Sequence, residues 1–365
     1  MRRQTPTSGL RATSETCATS WPYKARWLGP IALQIEITVT PDQEARLAAR
    51  RPVNPDTYEA YLKGMFHLNK FTPEGFKKGL DYLRQAVEKD PEDPLAYAGL
   101  ARGYSIIGHG PAPSPEALPR AKAAALKALE LDETLAEAHA VLAEVKLYYD
   151  WDWAGAEQAF QRALELNANL APAHAHYAWY LVLLGRLDEA LTEMKRAQEL
   201  DPLAPIYSAW LGQQYWFAGQ YDEAIDEARK SLELDSDFAV GLYALGSIYA
   251  AKGMYEEAIA AHQKAGAVDP DLGWLLGHTY AMAGRRDEAL NVLSELGEEY
   301  QQKNAWGVAE IYAALGEKDE ALRWLEAGYE YRHNWTPWMG RNPNYEPLRD
   351  DPRFGDLLRR LNFPE

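Results

Sequence analysis

The eighteen residues AGQYDEAIDEARKSLELD (218–235) decide the fold, because the chain writes them again and again. LGRLDEALTEMKRAQELD occupies 184–201, and KGMYEEAIAAHQKAGAVD occupies 252–269. Alignment on the alanine of the DEA word gives anchors at Ala190, Ala224, Ala258, Ala289 and Ala321, in steps of 34, 34, 31 and 32. Upstream, Ala156, Ala121 and Gly79 keep the register in steps of 34, 35 and 42, the extra residues falling in GHGPAPSPEAL. Eight units result, and a period in this range marks a solenoid, which grows by adding units rather than by enlarging one core.

Each unit carries two helical signals. In the unit beginning at Pro205, IYSAWLGQQYWFAG places Leu211, Gly212 and Tyr215 on one face, and Gly219 stops the helix. YDEAIDEARKSLELD then sets Ala224, Ala228 and Ser231 at spacings of 4 and 3, a narrow stripe of small residues that lets two helices approach closely. Acidic residues open this helix and Arg229 and Lys230 lie beyond them, which suits the helix dipole. Asp-Pro closes several units, at 90–91, 201–202 and 269–270, because proline disfavours helical geometry in the residue before it.

These words resemble the tetratricopeptide repeat, in which Trp, Leu-Gly, Tyr, Ala, Phe, Ala and Pro recur within 34 residues. LGQQYWFAGQYDEA (211–224) and LGSIYAAKGMYEEA (245–258) are the nearest matches. The resemblance implies an all-α, right-handed superhelical solenoid of about eight helix pairs over 54–335. One helix pair cannot bury its apolar face alone, which is why the brick repeats. The tail, 336–365, is expected to hold a capping helix, with Phe354, Leu357, Leu358 and Leu361 on one face.

The edges resemble bacterial multidomain regulators, in which a TolB-like segment joins a winged-helix, adenylate cyclase or serine/threonine kinase effector to C-terminal tetratricopeptide repeats. IALQIEITVTPDQEARLAARRPVNP (31–55) is similar to the end of that linker, so 31–53 is expected to be its remnant. YEPLRDDPRFGDLLRRLNFP (345–364) is similar to the ending of those proteins. Residues 1–30 match nothing and are expected to be disordered or non-native. A permissible codon choice for 19–30, read in another frame, yields a segment close to what the regulators carry there. On that reading the chain is expected to be a fragment of a larger gene whose effector lies elsewhere.

The formal net charge is -16, with 54 acidic against 38 basic residues. That argues against nucleic acid, whose capture needs a basic face, and against anionic membranes. It favours a neutral or basic protein partner. One cysteine, Cys17, allows no intramolecular disulfide and no cysteine metal cluster, and fits a reducing, cytoplasmic setting. No run of 18 apolar residues is present.

No nucleophile elbow, phosphate loop, dinucleotide fingerprint or HExxH word occurs, so neither cofactor nor catalytic residue is expected. His174 and His176 are two apart on a helix and cannot share a metal. His139, His262 and His278 fall in separate units and read as packing or surface residues.

With Leu-Gly taken as positions 7 and 8, the resemblance puts positions 2, 5, 9, 12 and 13 on the concave surface. Those positions read Val145, Tyr148, Tyr149; Trp179, Val182, Leu183; Gln213, Trp216, Phe217; Tyr243, Ser247; Trp274, His278; and Trp306, Glu310. From these, Tyr148, Tyr149, Trp179, Gln213, Trp216, Phe217, Tyr243, Trp274, His278 and Trp306 form the expected partner groove. Its aromatics suit an extended or helical peptide, although each of them could equally fill the superhelix interior. Positions 5 and 9 lack the Lys/Asn pair of the family's carboxylate clamp, which disfavours a chaperone-tail receptor. The reading is a non-catalytic interaction module. A signalling fragment and a self-assembling scaffold are the alternatives, and the oligomeric state is open.

Overall fold

The computed structural model describes residues 54–109 and 116–363. The expectations for 1–30 and 31–53 lie outside these residues. Eight antiparallel helix pairs follow one another. They are α1 Pro55–Leu68 with α2 Pro73–Lys89, α3 Pro94–Gly108 with α4 Ala117–Leu131, and α5 Ala136–Val145 with α6 Trp153–Leu166. Next come α7 Ala171–Leu183 with α8 Leu187–Leu200, α9 Pro205–Phe217 with α10 Tyr221–Leu234, and α11 Ala239–Ala251 with α12 Tyr255–Val268. The last pairs are α13 Trp274–Met282 with α14 Arg286–Lys303, and α15 Ala305–Ala314 with α16 Lys318–Glu330. No strand occurs among the described residues.

The anchors do what their size requires. Ala121, Ala156, Ala190, Ala224, Ala258, Ala289 and Ala321 are all 0% exposed. At the α9–α10 contact, a Cβ added to Gly212 would lie 2.8 Å from the Ala224 carbonyl oxygen. Backbones that close leave room for nothing larger than alanine opposite. Ala224→Leu is therefore expected to cost about 1–3 kcal/mol by overpacking. The loss of hydrogen-exchange protection should concentrate in α7–α12, since each unit leans on its neighbours. A uniform loss along the chain would contradict the solenoid.

Gly219 takes φ 73°, a left-handed conformation that closes α9 as expected, with Gln220 N–H bonding back to the Tyr215 carbonyl at 2.9 Å. Unit three departs from the pattern. After α5 the chain makes one wide π-type turn, Lys146–Asp150, ended by Trp151 at φ 56°. This swells the turn that carries Tyr148 and Tyr149.

The tail is more than a cap. Two short 3-10 turns, Thr336–Gly340 and Pro343–Leu348, precede α17 Pro352–Arg360. Phe354, Leu357 and Leu361 of α17 and its end are buried with Leu322 and Leu325 of α16, so the helix does close the last unit. The same segment also reaches back across the array. Trp153 Nε1 donates to the Leu361 carbonyl at 2.9 Å, and the Phe363 ring lies 4.4 Å from that of Trp153. Arg341 Nε donates to the Leu183 carbonyl at 2.9 Å, and Arg332 to that of Tyr149 at 2.7 Å. At the other end, Phe71 of the α1–α2 turn meets Phe238 before α11, rings 6.1 Å apart.

Candidate functional site

The first helices of the pairs face inward, so residues one turn apart on each present a layered wall. Tyr243 and Ser247 on α11, Trp274 and His278 on α13, and Trp306 and Glu310 on α15 are each four residues apart and share a face. With the tail across them, these helices enclose a cavity of about 170 Å³. Of the ten expected groove residues, nine line it: Tyr148, Trp179, Gln213, Trp216, Phe217, Tyr243, Trp274, His278 and Trp306. Tyr149 stands apart, its ring 5.6 Å beneath the Arg332 guanidinium. Val145, Val182 and Leu183 belong to the core.

The wall is not an open aromatic surface. Tyr148, Trp179, Trp216, Trp274 and Trp306 are buried. Their cover is the chain itself. Trp338 packs edge-on to Trp179 with ring centres 5.2 Å apart and lies 5.6 Å from Phe217. Trp335 stacks on Trp306 at 4.8 Å. Sequence reasoning missed Trp335, Trp338, Asn342 and Asn344, because WTPWMGRNPN (335–344) stands outside the repeat register. Its density of tryptophan and proline was the available signal. It also missed the opposite wall of Phe71, Phe76, Arg102, His109, His176 and Trp210.

Two polar clusters border the cavity. In the first, Glu144 is 0% exposed and accepts from Arg102 Nη1 at 2.8 Å and from the Ser105 hydroxyl. Burial pushes its pKa up, against the pull of Arg102 and Ser105. The same Arg102 nitrogen lies 3.2 Å from His176 Nε2. Burial holds His176 well below the usual histidine range and His109 at about 4, so both rings stay neutral. In the second cluster Glu310 is 2% exposed and accepts from Asn342 Nδ2 and Asn344 Nδ2, both at 2.6 Å. Burial raises its pKa to about 8 although the two amides oppose the rise. His278, 4.0 Å away, is held at about 4 by burial.

The other histidines keep to packing. His174 turns away from His176 and meets Glu193 at 2.5 Å. His262 sits against Gly246 and pairs with the Thr279 hydroxyl at 2.7 Å. Among the described residues no group of three or more His, Cys, Asp or Glu could hold a metal ion, and no helix is long and apolar enough to cross a membrane.

Comparison with known proteins agrees with this geometry. Three family models, each described as a tetratricopeptide repeat, match 242–273; 207–238; and 171–196, 270–295 and 305–327. The transcriptional regulator HilA of Salmonella typhimurium and of Salmonella typhi is 29% identical over 148 residues. The match takes in 40% of this chain and only 27% of the relative's length. Among solved structures, the APC/C hetero-tetramer Cut9–Hcn1 is similar with a TM-score of 0.57 at 17% identity, over 88% of this chain and 60% of that one. A monomeric IFIT1 mutant with m7Gppp-AAAA reaches 0.57 at 16% identity, over 92% and 76%. Likeness at such identity speaks for the fold alone. The period, the alanine stripe, the matched repeats and these neighbours agree that the chain carries tetratricopeptide repeats and is built as a tetratricopeptide solenoid.

Proposed function

We propose that the chain is a non-catalytic protein-interaction module of a bacterial regulator, and that its concave side holds an extended or helical peptide with apolar side chains. The observation that carries this reading is the chain's own tail. Residues 331–348 run in short irregular turns against the concave wall, anchored by Trp335 and Trp338. A wall that seats such a segment in cis has the chemistry to seat one in trans, since aromatics offer large contact area for little rotamer entropy. The similarity to HilA supports a transcriptional setting, with the effector elsewhere in a longer protein. A self-assembling scaffold is the other reading, and mass that grows with concentration in light scattering would favour it.

Photo-crosslinkers at half-buried Ser247, which lines the cavity, and at exposed Glu298 test the reading in lysate of the native cells. The expected result is a protein partner captured from position 247, more strongly once Trp338→Ala frees the wall. Capture from position 298 alone would move the partner to the outer face. Because the chain is acidic, a partner bearing Lys or Arg should associate faster at low salt.

A further inference from the structure

The space left between tail and array has a chemistry of its own, and the peptide reading is not needed to see it. Its wall is a continuous run of tryptophans: Trp274 to Trp306 at 4.6 Å, Trp306 to Trp335 at 4.8 Å, Trp335 to Trp338 at 6.1 Å and Trp338 to Trp179 at 5.2 Å. Elsewhere the protein places its own cations over rings, as with Arg332 over Trp151 at 4.5 Å and Arg285 over Tyr280 at 4.6 Å. Over these tryptophans it places no Lys or Arg among the described residues. Beside them lies a buried carboxylate that meets no cation among the described residues. Glu144 across the cavity has Arg102, but among the described residues Glu310 meets two amides and a neutral histidine.

We propose that this cavity binds a small organic ammonium ion bearing a hydrogen-bond acceptor, its charge against the tryptophan faces and Glu310. Desolvated aromatic faces attract such cations, and a cation beside Glu310 favours its charged form. The acceptor has partners too: the indole N–H groups of Trp274, Trp306 and Trp335 meet no acceptor among the described residues. With the tail seated, the volume of about 170 Å³ holds on the order of ten water-sized groups, which suits a molecule of the size of choline. Asn342 and Asn344 come from the tail, so an occupied site holds the tail down.

The pH dependence has a definite sign. Glu310 is mostly neutral below its pKa of about 8, and a bound cation draws its proton off. Cation affinity therefore rises with pH toward 8. Of the other groups facing Glu310, His278, Tyr243 and Tyr345 do not titrate between pH 6 and 8. His278 is held at about 4, and burial raises the hydroxyls of Tyr243 and Tyr345 far above that window. Asp269, at the cavity's edge, caps the turn at Pro270, and Arg102 is committed to Glu144.

The test uses the full chain, its tryptophan fluorescence, and two probes of one shape: choline, and its uncharged isostere 3,3-dimethylbutan-1-ol. Choline is expected to saturate a fluorescence change and the isostere to bind at least tenfold more weakly. Choline affinity should climb by up to about tenfold per pH unit from 6 toward 8. Glu310→Gln, which still accepts from an Asn amide, should abolish the preference for the charged probe. Equal binding of both probes, or no response to millimolar choline, overturns the proposal. If Glu310→Gln fails to fold, the unaltered chain decides alone: affinity flat between pH 6 and 8 overturns it.

Discussion

Trp338→Ala is expected to lower the free energy of unfolding by about 3–5 kcal/mol, the usual range for deleting a buried tryptophan. Trp338 is buried against Trp179, Phe217 and Trp335 at once. It holds the tail at the middle of its span, between the Arg332–Tyr149 and Arg341–Leu183 bonds. In an ordinary repeat array each unit touches only its neighbours, so damage stays local. Here the tail ties the last unit to α5–α7, contacts that lie more than 150 residues apart in the chain. Loss of Trp338 should therefore weaken distant units together. Hydrogen exchange should show protection falling in 331–348 and on α7 and α9, while α1 and α2 keep theirs. An unfolding free energy within about 0.5 kcal/mol of the unaltered chain, a surface-like effect, with unchanged tail protection, would falsify the account of the tail as a clasp.

That clasp marks the boundary of what the sequence discloses. The eight pairs were legible because one alanine per period must be small, and the requirement recurs at every anchor from Ala121 to Ala321. The inward face was legible through the resemblance, whose concave positions pair Trp274 with His278 and Trp306 with Glu310; helix geometry adds only that residues four apart share a face. Periodicity says nothing about segments that lack it. Residues 331–348 obey no repeat, and their contacts with Trp179 and Leu183 join units far apart in the chain. Hence the sequence left open whether the aromatic face is a partner groove or filled interior, and the structure shows the chain's own tail covering it. The same limit hid Arg102 and Glu144, whose pairing is 42 residues long and depends on how unit three stacks on unit two.

Acid should unfold this protein well before its surface carboxylates are neutralised. Four buried histidines, His176, His262, His278 and His333, are neutral in the folded chain, as is the partly enclosed His109. Burial holds His262 at about 3, His278, His333 and His109 at about 4, and His176 well below its ordinary value. Each folded value lies below the unfolded one of about 6.5. The stability these rings lend is therefore complete above pH 6.5 and is lost as pH falls toward 4. The five shifts share one sign, so their effects on stability add. Glu310 acts in the opposite sense. Its raised value makes its contribution complete below about pH 4.5 and lost as pH rises through about 8. Burial also raises Glu144, Asp269 and Asp271, which act in the same sense as Glu310. The five histidines are expected to outweigh them, so the melting temperature should fall more steeply from pH 6.5 to 4 than from 6.5 to 8. Unfolding at pH 5.5 should take up several protons, measurable by titration against unbuffered solution. His262→Phe, which puts an apolar ring against Gly246, removes one of these protons and should make the acid limb shallower while changing stability at pH 7 little. Stability that stays level from pH 6.5 to 4.5, or unfolding at pH 5.5 without proton uptake, would mean that these rings are hydrated and charged in the native chain.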